Sequence, residues 1–261
     1  MTTPLISVKD LAIYKGKDDP IFSNISFEVR EGDVAVLQGR SGGGKTTLLK
    51  SLAHLNVYEG EVLFRGQPPS KYTVPTYRTR VLYVPQRASL LPANPRHFLA
   101  TVNDFNSRKD NKDKATHATY GTVAPQHFVD DSGVQLGADP HDPFALAKEW
   151  GLEEAVWDRD WAALSGGEAQ RVLLAIAAGL RGTEVLLLDE PTSALDSETS
   201  LQVEKTLTSL PGSSSTIKAI VWITHSHEQA ERVGTRWLNL IPGSGLEEGD
   251  SSAHHQQNGS V

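Results

Sequence analysis

With 261 residues, 38% hydrophobic and 22% charged, and a net charge of −7, the chain has an ordinary globular make-up and enough length to bury a sizeable core. The acidic balance argues against nucleic-acid binding, which calls for a basic surplus. The absence of cysteine excludes a disulfide scaffold, a cysteine-based zinc site and a catalytic thiol. No stretch approaches the roughly 18 uninterrupted apolar residues of a membrane span. The N-terminal MTTPLISVKD has neither the basic region nor the apolar run of a secretory signal.

In chain order, residues 5–8 and 25–29 alternate in the manner of half-buried strands. Between them, residues 15–20 are charged and carry Gly and Pro, so they read as a hairpin loop. Residues 34–37 form a short apolar strand that runs into Gly39-Arg40-Ser41-Gly42-Gly43-Gly44. Lys45-Thr46-Thr47 then opens a helical pattern. Residues 60–64 and 81–84 read as further strands.

The middle changes character. Residues 103–114 are nearly all polar, and 116–143 are rich in Gly, Pro, His and Asp, so 103–143 reads as a polar insert. A short helix is expected over 143–151. Over 166–180, Val172, Leu173, Ala175, Ile176 and Leu180 recur at helical spacing. Residues 185–188 and 219–223 are continuous apolar runs, as in parallel strands buried on both faces. Helices are expected over 197–210 and 226–233, and a last strand over 236–241. Residues 243–261 read as a disordered tail. There are no internal repeats, and the alternation of strands and helices gives an α/β fold with a mostly parallel sheet.

Gly39, Gly44, Lys45 and Thr46 satisfy G-x-x-x-x-G-K-[ST] between a strand and a helix, the context of a P-loop. The glycines let successive backbone N–H groups face phosphate oxygens, and the helix adds its positive dipole end. Lys45 is the candidate point charge for the β- and γ-phosphates, and the Thr46 hydroxyl a ligand for Mg²⁺. Asp189 and Glu190 stand at the C-terminal end of a buried strand, where ligands sit in open α/β sheets. Asp189 is the candidate Mg²⁺ residue, and Glu190 the candidate that polarises an attacking water.

Leu164-Ser165-Gly166-Gly167-Glu168-Ala169-Gln170-Arg171 resembles the LSGGQ signature of ATP-binding-cassette (ABC) ATPases. The resemblance covers about residues 5–241. It implies a P-loop nucleotide-binding domain with a mixed, mostly parallel sheet core, an antiparallel β subdomain and a helical subdomain over 87–160. It also implies ATP and Mg²⁺ as ligands, and ATP hydrolysis to ADP and phosphate. By the same resemblance, Ser165, Gly166 and Gly167 contact the nucleotide bound by the opposite protomer of a homodimer or paired cassette. Gln86 is similar to the glutamine that senses Mg²⁺ and the attacking water. Ser193-Ala194-Leu195-Asp196 is similar to the loop that crosses the dimer interface, and His225 to the histidine on the γ-phosphate. Ser41, Gly42, Gly43 and Thr47 complete the nucleotide-binding set. Tyr14 is the candidate for stacking on adenine, with packing inside the hairpin as the alternative.

Two features depart from compact members of the family. The stretch between Gln86 and Ser165 is longer, and only a tail follows Ile241. The resemblance implies a motor at the cytosolic face of a membrane that powers transport through a permease on another chain. Residues 87–96 are suited to a groove that receives a permease helix, with an ordinary surface loop as the alternative. Residues 77–86 are loosely similar to small ATPases of iron and metal-tolerance exporters. A soluble role in iron–sulfur assembly, or on ribosomes or DNA, is the alternative. The cargo and its direction are not written in this chain.

Overall fold

The computed structural model describes residues 3–16, 19–87, 91, 93–105, 142–213, 215–243 and 245–249. They fall into two compact units. One is drawn from Met1–Gln86, Thr183–Ser193 and Glu204–Val261, the other from Arg87–Gly182 and Ala194–Val203.

In the first unit, Ile6–Gly16 (β1) and Asp19–Val29 (β2) make an antiparallel hairpin. Val34–Gly39 (β3) leads into the helix Lys45–Leu52 (α1), and Glu59–Phe64 (β4) returns to pair antiparallel with β1. Pro69–Tyr72 (α2) and Val74–Arg80 (α3) are short helices, followed by Val81–Val84 (β5). The hairpin is longer than its apolar residues indicate. Tyr14 pairs with Pro20 and Gly16 with Asp19, so much of the expected loop is strand. A small antiparallel sheet can keep charge on its open face, and β2 is an edge strand, where proline removes no needed ladder bond.

In the second unit, Pro95–Asp104 (α4), Pro143–Glu149 (α5) and Gly166–Gly179 (α6) carry the structure. Asn94 accepts from His97 N–H at 2.8 Å and Asp142 from Ala145 N–H at 3.3 Å. Both caps precede a proline, which suits the first helical position. Leu99, Leu146, Trp150 and Trp157 are buried, and Phe144 packs on Trp157 with ring centroids 4.2 Å apart. Most of the expected polar insert, residues 106–141, lies outside the described residues, as do 88–90 and 92.

Val185–Asp189 (β6) returns to the first unit. The helix Ser197–Ser209 (α7) contributes residues to both units. Ala219–Ile223 (β7), His227–Val233 (α8), Arg236–Ile241 (β8) and Gly245–Gly249 (β9) complete the first. Its larger sheet runs β5-β6-β7-β3-β8-β9. All neighbours are parallel except β9, which is antiparallel to β8.

β9 corrects the tail, which was expected to be disordered from Gly243. Its GLEEG sequence lacks β-branched residues, yet Leu246 faces Leu240 and packs against the core, while the glutamates stay exposed at the sheet edge. Residues 250–261 lie outside the described residues.

β6 and β7 are buried along their whole length, and Leu187, Val221 and Leu37 belong to one apolar core. That core includes Leu48, Leu49 and Leu52 of α1, so the helix after the glycine loop is seated by its apolar face. Leu187→Ala should therefore cost about 2–5 kcal/mol through lost burial and a residual cavity. A urea melt checks this; an unchanged midpoint would contradict the placement of Leu187 in the core.

Candidate active site

The glycine loop leaves β3 at Gly39, whose φ of 142° is open to glycine alone. A Cβ there would lie 2.6 Å from the Leu240 carbonyl oxygen of β8. Gly44, at φ 93°, is the N-cap of α1, and a Cβ would come within 2.7 Å of Ile21 Cγ2. With glycine at the cap, no side chain satisfies the first helical N–H groups. They stay available to an anion. Ser41 and Gly42 are exposed, and Gly43 turns the loop by donating to the Arg40 carbonyl at 3.1 Å. Thr47 is half-buried, and its carbonyl accepts from Ser51 Oγ at 2.8 Å.

Lys45 is 6% exposed and folds over the loop, its Nζ donating to the Gly39 and Arg40 carbonyls at 2.9 Å each. Burial lowers its pKa, while Glu190 and Asp189 pull it back up. Thr46 Oγ1 donates to Asp189 Oδ1 at 3.1 Å. This hydroxyl and carboxylate are hard oxygen donors, the chemistry Mg²⁺ takes. Tyr83 OH donates to the other oxygen, Asp189 Oδ2, at 2.9 Å. Burial first, then the Asp189 charge, raises the Tyr83 phenol well above its ordinary value, so it stays a donor.

Glu190 leaves β6 with φ 47°, a left-handed conformation that costs a non-glycine residue about 1–3 kcal/mol. Its N–H donates to the Ile223 carbonyl at 3.1 Å, which holds the turn. The side chain then lies between two partners. Gln86 Nε2 donates to Glu190 Oε2 at 2.8 Å, and His225 Nε2 stands 3.0 Å from Glu190 Oε1. Ser193 Oγ donates to the Glu190 carbonyl at 3.0 Å.

So Lys45, Thr46, Asp189, Glu190, Gln86 and His225 come together in the first unit. Gln86 reaches Glu190, not Asp189. Tyr14 lies on β1, opposite Pro20 in the hairpin, with 43% of its surface exposed.

The other expected residues belong to the second unit. Ser165 is the N-cap of α6, and Gly166 and Gly167 form its first turn. Ser165 Oγ accepts from Glu168 N–H at 3.2 Å, and Glu168 Oε2 accepts from Ser165 N–H at 2.7 Å, a reciprocal capping box. Arg159 adds an ion pair to Glu168 at 3.0 Å. Asp196 caps α7, accepting from Thr199 N–H at 2.9 Å and Thr199 Oγ1 at 2.8 Å. That backbone bond above all holds its carboxyl below the usual range.

Tyr83 and the capping role of Glu168 are not among the residues expected from the sequence. Tyr83 sits opposite Leu187 in the parallel register, two positions before Asp189, a relation invisible before the strands are paired. The S-x-x-E spacing of Ser165 and Glu168 was a readable signal.

Residues 22–193 match the family model described as ABC transporter. Over 257 residues, 97% of this chain, the sequence is 30% identical to an ATP-dependent lipid A-core flippase of Vibrio vulnificus, and it spans 39% of that protein's length. A phosphate import ATP-binding protein of Lactobacillus acidophilus is 28% identical over 235 residues, which is 87% of this chain and 78% of that one. The fold is similar to that of a bacterial ABC transporter cassette solved as a dimer. The TM-score is 0.71 at 24% identity, covering 94% of this chain and 98% of the other. A bacterial Atm1-family ABC exporter with ATP bound gives a TM-score of 0.70 at 23% identity, over 95% of this chain and 39% of that one.

The capping box makes a pH-dependent prediction. The backbone bond from Ser165 is the largest cause holding the Glu168 carboxyl below its usual value. A depressed folded pKa contributes stability that is present above the unfolded value, about 4.3, and is lost as pH falls through the folded one. The stability difference between wild type and Glu168→Gln should therefore be largest near neutral pH and shrink under acid. Thermal melts across pH check this; a difference independent of pH would contradict it.

Proposed function

Since this chain belongs to the ABC transporter family, we propose that it is an ATP-hydrolysing cassette that powers transport through a permease on another chain, working at the cytosolic face of a membrane. The observation that carries the reading is the Gln86–Glu190–His225 cluster beside the glycine loop and Lys45. Among the described residues no helix is long and apolar enough to cross a membrane. The match over 78% of a phosphate import ATP-binding protein supports a cassette that works with a separate membrane chain. The relatives are named for lipid A-core in one case and phosphate in another, so the likeness carries the motor and not the cargo.

The reaction is ATP plus water to ADP and phosphate, catalysed mainly by positioning and charge neutralisation. Backbone N–H groups of the loop and of the α1 N-terminus bind the phosphates, and Lys45 adds a positive charge. Thr46 and Asp189 would hold Mg²⁺, which supplies further charge neutralisation when bound. Tyr83 fixes the Asp189 carboxylate. Glu190 orients the attacking water and accepts its proton, with each of its oxygens steadied by a neighbour. The exposed Tyr14 ring offers a face for adenine. Ser165, Gly166 and Gly167 complete the site of a second copy, so two chains close over ATP as a dimer.

Lys45→Ala should weaken ATP affinity at least tenfold, as measured by nucleotide titration; unchanged affinity would contradict the loop assignment. Glu190→Gln should keep ATP binding and lower kcat by about 10²-fold or more, within the range general-base catalysis contributes. Wild-type turnover in that variant would refute the role of Glu190.

A further inference from the structure

Glu190 and His225 stand on two different strand exits, after β6 and after β7. On the sheet side these exits are joined by the Glu190 N–H bond to the Ile223 carbonyl. A second tie joins them further out, through side chains that take no part in the hydrolysis described above.

Around His225, Thr224 Oγ1 accepts from Ser226 N–H at 3.0 Å, and Ser226 Oγ accepts from Gln229 N–H at 3.2 Å. This fixes the start of α8 relative to the His225 turn. Gln229 is buried, and its carboxamide Nε2 spends both of its N–H donors on other segments. One goes to Thr192 Oγ1 at 2.7 Å, the other to Glu204 Oε1 on α7 at 2.6 Å. Thr192 lies two residues after Glu190 and is itself buried. Glu204, 3% exposed, is a carboxylate anchored by Arg232 of the same α8, through Nε at 3.0 Å and Nη2 at 3.2 Å.

A buried carboxylate and a buried carboxamide are costly unless every partner is in place. The satisfied network therefore defines one position for α8 relative to the segment that follows Glu190. The His225–Glu190 separation of 3.0 Å depends on both ends of that span. A side chain that moves by about 1 Å out of a reacting geometry can lose a large factor in rate.

We propose that Gln229 and Thr192 are positioning residues for hydrolysis, holding the His225 turn and the Glu190 turn in register. The proposal rests on the hydrolytic reading of Glu190 given above. Among the described residues neither side chain hydrogen-bonds to the phosphate loop, so substrate binding is not expected to depend on them.

The test is steady-state ATPase kinetics on the full chain. Thr192→Val keeps the side-chain shape and removes the acceptor, leaving Glu204 paired with Arg232 and Gln229. It should lower kcat about tenfold, with KM for ATP within about twofold, and lower the melting temperature by a few degrees, because the buried Gln229 N–H loses its acceptor. Thr192→Ser restores the hydroxyl and should return kcat to near the wild-type value. Gln229→Met removes both donors and should lower kcat at least as much. If Gln229→Met fails to fold, the Val and Ser pair still decides the matter. Turnover lost in Glu190→Gln but unchanged in Thr192→Val overturns the positioning role alone. A loss in Thr192→Val that Thr192→Ser does not recover, or one that appears mainly in KM, overturns it equally. Turnover that survives Glu190→Gln overturns the hydrolytic reading, and the positioning role falls with it.

Discussion

The arrangement depends on the parallel register of β3, β7 and β6. Leu37 and Asp189 both pair with Ile223, so β6 and β7 end at the same level of the sheet and β3 runs two residues beyond it to Gly39. Each then delivers one part of the proposed site. β3 gives the glycine loop and Lys45, β6 gives Asp189 and Glu190, and β7 gives His225. A slip of one residue would turn every side chain of a strand to the other face and break the set. β6 and β7 are buried on both faces. The left-handed turn at Glu190 is tolerated because its N–H is held by Ile223 and its side chain by Gln86 and His225.

The electrostatics follow from this convergence. Two carboxylates, one lysine and one hydroxyl share a small space that burial partly desolvates. Lys45 is drawn in two directions, lowered by burial and raised by Glu190 and Asp189. Asp189 is held by Thr46 on one oxygen and Tyr83 on the other, so its carboxylate plane is set. Glu190 is flanked in the same way by different residues. Adjacent carboxylates thus take separate environments, in keeping with the separate tasks proposed for them.

Much of this was legible before the strands were paired. The runs at 185–188 and 219–223 announced buried parallel strands because nothing polar interrupts them. The glycine loop announced itself because only glycine tolerates its backbone and the close approach of Leu240. Elements held by long-range contact were harder to see. The helices Pro69–Tyr72 and Val74–Arg80 are short and carry prolines, so they lack the repeat that marks a helix. β9 has one apolar residue, Leu246, and its strand character comes from pairing with β8. Tyr83 and Gln229 show the same limit within the site. Each acts on a residue 106 and 37 positions away, respectively, and no local pattern points to either.

We propose that the phosphate loop and the capped Ser165 turn are two half-sites that come together between two copies of the chain. The most direct measurement is the solution mass of the Glu190→Gln chain by light scattering, with and without Mg-ATP. The chain should be a monomer that becomes a dimer on adding ATP, and should stay a monomer when Ser165 is also replaced by Arg. A chain that binds ATP at saturation yet remains monomeric without the Ser165 change would contradict it.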